Sequence, residues 1–196
     1  MEPLNIYCLG DSLTSGYYPY FLKGMLDRDN IPSRIYNMGI PGYNTSLYLR
    51  FLKKAVDAWL DHKNRISLLM LGTNDIRIGF KYRLCRNYRR NMETIINLLK
   101  ARDFRIIISL IPPVTGRVFP QYTMHSIKRI GSCINPVIKM LAEKYGFPLA
   151  DNYKGMSGQV FLDRVHPGIR GYEKMAENWY MVLRKEIKGE PSWHEN

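Results

Sequence analysis

Ser12, His166 and two carboxylates, Asp151 and Asp163, are the side chains in this sequence whose chemistry suits acyl transfer. Ser12 stands in Gly10-Asp11-Ser12-Leu13, directly after the apolar run LNIYCL. A serine hydroxyl is a weak nucleophile near neutral pH until a base takes its proton, and imidazole is suited to that task. His166 lies in Asp163-Arg164-Val165-His166-Pro167, so one tight loop can bring Asp163 against the Nδ1–H of that imidazole. Asp151, at the end of the last apolar run, is a second candidate for the orienting acid. The letters alone leave alternatives open. A serine before a helix is commonly an N-cap, a glycine there commonly makes a turn, and hydroxyls at a helix start can cradle a phosphate. His62, His125 and His194 sit in helical, surface-like or terminal context and read as structural.

The elements that must position these groups follow from hydropathy. Apolar runs too short for helices recur at Leu4 to Leu9, Arg34 to Met38, Ile66 to Leu71, Phe104 to Ile111 and Phe147 to Ala150, and they resemble strands buried on both faces. Between them lie amphipathic stretches. Tyr88, Met92, Ile95, Ile96 and Leu99 share one helical face, as do Tyr48, Leu52, Ala55, Val56 and Trp59. A further helix is expected from about Ser126 to Tyr145, disturbed near Gly131, and a last one carries Tyr172, Ala176, Trp179 and Leu183. Alternation of this kind predicts a three-layer α/β/α sandwich around a five-stranded parallel sheet, joined by right-handed crossovers. With 196 residues, 45% of them hydrophobic, one domain over 1–187 with a loose tail at 188–196 is expected.

In open sheets of this type ligands bind beyond the carboxyl ends of the strands. Each unusual polar cluster falls there: Gly10 to Leu13 after the first strand, Asn37-Met38-Gly39 with Gly42 after the second, Gly72-Thr73-Asn74-Asp75 after the third, and Asp163 to Pro167 after the fifth. By motif and order these four clusters, GDSL, NxGxxG, GxND and DxxHP, resemble the GDSL esterases and lipases in their SGNH hydrolase branch. They span nearly the whole chain. The resemblance implies a flavodoxin-like SGNH hydrolase fold and a serine hydrolase of carboxylic esters, with Ser12 as nucleophile, His166 as base and Asp163 as the acid that holds it. Asp151 is then left to tie down its own loop. The resemblance also implies an oxyanion hole made of the backbone N–H groups of Ser12 and Gly39 and the side-chain amide of Asn74, and it implies no cofactor. Chemistry agrees with each donor, since glycine lets a backbone N–H approach closely and an amide offers N–H without a competing charge. Asp11 and Asp75 read as structural carboxylates of the turns that display Ser12 and Asn74, and no metal set accompanies them.

The remaining features bound the partners. Net charge is +12, from 29 Lys and Arg against 17 Asp and Glu, with a basic cluster at Arg77, Lys81, Arg83, Arg86, Arg89 and Arg90 that reads mainly as a solvated helix face. No nucleic-acid recognition module accompanies the charge, so no nucleic-acid partner is expected. A flavin- or phosphate-binding protein of flavodoxin type would leave Asn74, Asp163 and His166 unexplained. No run is long and apolar enough to span a bilayer, and the opening MEPLNIYCLGDS lacks the features of a signal peptide, which makes a cytoplasmic location the expectation. Cys8, Cys85 and Cys133 are expected as reduced, mostly buried thiols. The expected substrate is a small ester with a short acyl group, acetyl above all, and an anionic or sugar-bearing alcohol part in preference to a neutral lipid. A lysophospholipase or thioesterase of the same family is the alternative. Arg77, Phe80, Lys81 and Phe119 are the candidate substrate contacts, within pocket walls drawn from 76–82, 112–122 and 152–162.

Overall fold

The apolar runs pair side by side. In the computed structural model, which describes residues 2–77, 81–115, 123–156, 160–163 and 165–189, strands β1 (Leu4–Gly10), β2 (Ser33–Gly39), β3 (Arg65–Met70), β4 (Arg105–Ser109) and β5 (Leu149–Ala150) form one parallel sheet in the order β2-β1-β3-β4-β5. The strand order reverses next to β1, so the clefts beside its carboxyl end are where a ligand is expected in such a sheet. β1, β3 and β4 are almost wholly buried, as their unbroken apolar runs require. β2 is only half-buried, because an edge strand has a neighbour on one side alone.

Helices cover both faces. α1 (Ser12–Ser15), α2 (Tyr18–Arg28) and α7 (Ile169–Lys188) lie on one side, where the buried Tyr18 and Trp179 rings stack 6.1 Å apart. α3 (Thr45–Ala55), α4 (Lys81–Lys100) and α6 (Asn135–Tyr145) pack together on the other. Tyr88, Met92, Ile95, Ile96 and Leu99 of α4 are all buried, as their helical spacing demands. The stretch from Tyr48 to Trp59 is not one helix: α3 ends at Ala55 and a 3-10 turn carries Val56–Trp59. The disturbance near Gly131 is a π-helical turn over Ile130–Ile134 that separates α5 (Met124–Arg129) from α6. α2 was not evident from hydropathy, since Pro19 and Gly24 interrupt its pattern; the proline fits because it sits in the first turn. Of the tail expected at 188–196, residues 190–196 lie outside the described residues. Among the described residues no helix is long and apolar enough to cross a membrane.

One expectation is corrected. Cys85 and Cys133 are joined by a disulfide, with their Cα atoms 5.5 Å apart, and Cys8 in the buried core of β1 is the free thiol. The pairing is invisible in the sequence because 48 positions separate the two residues, and only the packing of α4 against the π-helical turn brings them within bonding distance. The bond ties α4 to the helical segment on its flank. Thiol titration of the unfolded, unreduced chain should therefore find one thiol, and three after reduction. Replacing both partners by alanine should lower the unfolding free energy in urea by about 2–4 kcal/mol. Three thiols before reduction would contradict the bond.

Candidate active site

β1 delivers the serine. Its last residue is Gly10, and Asp11 then caps α1: the Asp11 carboxylate accepts the Leu13 N–H at 3.0 Å while its carbonyl accepts those of Thr14 and Ser15 at 3.1 and 3.0 Å. Leu13 and Thr14 are buried beneath the turn, and Ser12 is left half-buried at the rim as the first helical residue. The N–H groups of a helix's first turn have no partner within the helix, so the Ser12 N–H is available beside its own hydroxyl.

The histidine arrives from the other end of the chain. An isolated antiparallel bridge between Phe161 and Pro167, with the Leu162 N–H donating to the His166 carbonyl at 2.8 Å, folds the connection before α7 into a narrow loop. Within it one Asp163 oxygen accepts the backbone N–H groups of Val165 and His166 at 3.1 and 2.7 Å, and the other meets His166 Nδ1 at 2.7 Å. Partial burial would raise the Asp163 pKa, but those hydrogen bonds from His166 and Val165 outweigh it and hold the carboxyl below its ordinary value. An ionised carboxylate can only accept, so Nδ1 carries a hydrogen, and in the neutral imidazole that leaves Nε2 as an acceptor. His166 Nε2 lies 3.0 Å from Ser12 Oγ. The structure thus brings Ser12, His166 and Asp163 into one hydrogen-bonded row. Asp151 is elsewhere: its carboxylate accepts the N–H groups of Tyr153 and Lys154 at 2.9 and 2.8 Å and closes the turn after β5.

Asn74 follows β3, just before a 3-10 turn at Asp75–Arg77. Its amide is held at both ends, with Nδ2 donating to the Tyr43 carbonyl at 3.0 Å and Oδ1 accepting from Arg77 Nη1 at 3.1 Å. Sequence reasoning marked Arg77 for an anionic substrate; in the structure its guanidinium grips Asn74, a link with no signal in the sequence. Gly39 sits where β2 meets α1. A Cβ there would lie 2.2 Å from Ser15 N, so glycine is required for β2 to abut α1, and the Gly39 N–H is donated to Asn37 Oδ1 at 3.1 Å. Gly42, three residues on, has a left-handed φ of +78° and open space around it. Lys81 is the first residue of α4, whereas Phe80 and Phe119 lie outside the described residues, as do 78–80, 116–122 and 157–159 of the expected pocket walls. Among the described residues no three His, Cys, Asp or Glu side chains converge into a set that could hold a metal ion.

Known proteins resemble this chain in family and in fold. The model of the GDSL-like Lipase/Acylhydrolase family matches residues 8–174. No curated protein matches the chain. Among solved structures, a lipase/acylhydrolase from Enterococcus faecalis is 23% identical, with 97% of this chain and 100% of that one covered and a TM-score of 0.75. An acetyl xylan esterase, AlAXEase, is 16% identical over 92% of this chain and 100% of its own, with a TM-score of 0.76. A carbohydrate acetylesterase family member from Sinorhizobium meliloti is 19% identical over 94% and 99%, at 0.74. At these identities the likeness is one of fold.

Two acids missed as titrating groups lie behind the row. Asp75 accepts the Thr45 N–H at 3.0 Å and the Thr45 hydroxyl at 2.5 Å, which clamps the start of α3 to the loop after β3. Burial pushes its carboxyl up to about 6 despite those bonds. Asp11 is likewise pushed up to about 6, chiefly by burial and further by Asp75, while the Leu13 N–H and the nearby Thr73 and His166 pull the other way. Thr73 moderates the shift without completing a hydrogen bond to Asp11 Oδ2, which has no partner among the described residues. A carboxyl raised in the folded state binds its proton more tightly there than in the unfolded chain. Its contribution to stability is present below pH ~4 and is lost as pH rises through about 6. Asp11→Asn keeps the oxygen that caps Leu13 but cannot ionise. Urea melts from pH 4 to 7 should show the variant gaining on the parent protein as pH rises to about 6, then a constant difference. A difference independent of pH would mean that Asp11 is not raised.

Proposed function

The chain belongs to the GDSL-like lipase/acylhydrolase family, and from that premise we propose that it is a serine esterase that removes short acyl groups, acetyl above all, through an acyl-enzyme on Ser12. The observation that carries this reading is the row from Ser12 Oγ to His166 Nε2 at 3.0 Å and from His166 Nδ1 to Asp163 at 2.7 Å. As Oγ attacks the ester carbonyl carbon, Nε2 takes its proton, and Asp163 stabilises the imidazolium that results. Collapse of the tetrahedral intermediate expels the alcohol, which receives that proton from His166. Water then repeats the sequence on the acyl-enzyme and restores Ser12.

The oxyanion needs fixed donors. The Ser12 N–H at the start of α1 and Asn74 Nδ2 supply two. Arg77 acts behind Asn74: its charge on Oδ1 fixes the amide orientation and polarises the N–H bonds at the other end. Gly39, the third expected donor, serves only if its bond to Asn37 opens. Gly42 in the same loop is an alternative, since among the described residues its backbone N–H has no backbone partner and a Cβ there would meet nothing within 4 Å. A preference for acetyl rests on the modest size of the chain: the strands and helices take up about three-fifths of its 196 residues, which limits the loop left to wall a long acyl groove. Structural neighbours that include an acetyl xylan esterase and a carbohydrate acetylesterase lend it support. The alternative, a lysophospholipase or thioesterase, would use the same row on a different acyl group.

A panel of esters graded in acyl length tests the reading. Ser12→Ala should abolish hydrolysis with an unchanged melting temperature, and turnover near that of the parent protein would refute the proposal. Asn74→Ala should lower kcat on the order of 100- to 1000-fold with little change in KM. Arg77→Met should lower kcat on the order of tenfold, as for one lost charge-assisted hydrogen bond, again through kcat rather than KM. A change confined to KM would instead make Arg77 a substrate contact. Asp163→Asn should sharply depress kcat by favouring the wrong imidazole tautomer, while Asp151→Asn should affect only stability. Faster cleavage of long acyl chains than of acetyl would favour the lysophospholipase reading.

A further inference from the structure

Between α2 and the edge strand β2 runs an open groove of about 310 Å³ that the hydrolytic row does not use. Gly16, Tyr17 and Tyr20 form one wall, Lys23 closes the far end, and Ile35 and Asn37 of β2 form the other side. Gly16 directly follows the single helical turn that carries Ser12, so the near end of the groove opens within about 6 Å of chain rise from the nucleophile.

The wall is built rather than incidental. Tyr17 and Tyr20 are 63% and 76% exposed, in a chain whose Tyr7, Tyr18, Tyr48 and Tyr88 are fully buried. Each exposed ring is braced by a second ring in a T-shaped contact: Tyr17 against Tyr172 with centroids 5.8 Å apart, and Tyr20 against Phe21 at 5.7 Å. Gly16 makes the first brace possible, because a Cβ at that position would lie 2.2 Å from Cζ of the Tyr172 ring. The two rings are thereby held in place while most of their surface stays open to solvent. Across the groove Asn37 is exposed, and its Oδ1 is committed to the Gly39 N–H, so the amide is oriented and its Nδ2 hydrogens are the donors it offers. At the far end Lys23 pairs with Asp27, which sets a donor and an acceptor side by side.

A flat aromatic face flanked by hydrogen-bonding groups fits one kind of small molecule best. A sugar ring carries apolar C–H faces and a rim of hydroxyls, which can lie on tyrosine faces while the hydroxyls meet Asn37 and the Lys23–Asp27 pair. An acyl chain has no use for those polar groups and would leave them desolvated and unpaired. We infer that the groove is the subsite for the alcohol half of the substrate, a sugar ring whose acetyl ester is presented to Ser12. The inference rests on the reading of Ser12 as nucleophile. It also moves the source of alcohol recognition from the basic cluster at α4 to the opposite flank of the rim.

The test compares acetylated xylobiose with para-nitrophenyl acetate, whose alcohol is not a sugar. Tyr20→Ala should lower kcat/KM for the disaccharide about tenfold relative to the aryl ester, through KM, and Tyr20→Phe should restore most of it because the ring face remains. Tyr17→Ala should act in the same direction. Equal responses of the two esters, or an effect of the tyrosines on long-chain esters instead, would overturn the subsite while leaving the esterase reading intact. Binding of acetylated xylobiose to Ser12→Ala, followed by calorimetry, separates the two claims. Binding weakened about tenfold by Tyr20→Ala sustains the groove even if the parent protein hydrolyses neither ester, whereas binding indifferent to both tyrosines refutes it.

Discussion

Parallel pairing of β1 with β2 on one side and β3 on the other is the constraint from which the rest of the site follows. The register sets Gly10 opposite both Gly39 and Met70, so three chain segments leave the sheet level with one another. Gly10 shows how little room remains at that junction, since a Cβ would lie 2.0 Å from Thr14 Oγ1 and 2.6 Å from the Met70 carbonyl. Any side chain there would push α1 off the sheet and carry Ser12 with it. Ser12 is thus located by backbone packing, and hydrogen bonding only refines its place.

Around this junction the loops hold one another through buried polar contacts. Thr45 at the start of α3 binds Asp75 after β3, Asn91 of α4 donates to the same threonine, and the Tyr48 hydroxyl reaches the Met38 carbonyl on β2. On the far side Asn178 of α7 donates to Asp151 and Asn152, and Asn152 reaches Ser109 on β4. Such networks cost desolvation, visible in the raised carboxyls of Asp11 and Asp75, and they resist the small displacements that would spoil a 3.0 Å contact between hydroxyl and imidazole. Rigidity here is compatible with the proposed chemistry, in which fixed dipoles and not moving parts stabilise the developing charge.

The two flanks of the rim differ in kind. On the α4 side the exposed Arg83, Arg86, Arg89 and Arg90 make a strongly cationic surface whose nearest member to the site, Arg77, is bonded to Asn74. On the α2 side the surface is aromatic and weakly charged. Charge acts over about 8 to 10 Å at physiological ionic strength and governs approach, whereas stacking acts only at contact and governs which alcohol is held. The proposed division, in which one flank tunes the Asn74 amide and the other holds the alcohol half, uses each in the range where it is effective.

The sequence by itself determined what depends on neighbours along the chain. Apolar periodicity marked the five strands and the helices at α3, α4, α6 and α7, because burial on one or both faces leaves a repeat in the order of residues. The closeness of Asp163 to His166 was also legible, since a three-residue loop allows little else. Strand ends were legible as a group because parallel topology sends them all to one edge. Tertiary structure alone decided which distant groups meet: Cys85 with Cys133, Arg77 with an amide that any polar residue nearby could have held, and Tyr17 against Tyr172. It also decided the partner of the Gly39 N–H, which turns on Asn37's side-chain torsion. Hydropathy is a property of single residues summed along a chain, whereas these contacts depend on rotamers and on helix rotation about the sheet. Those are set by packing the whole core at once.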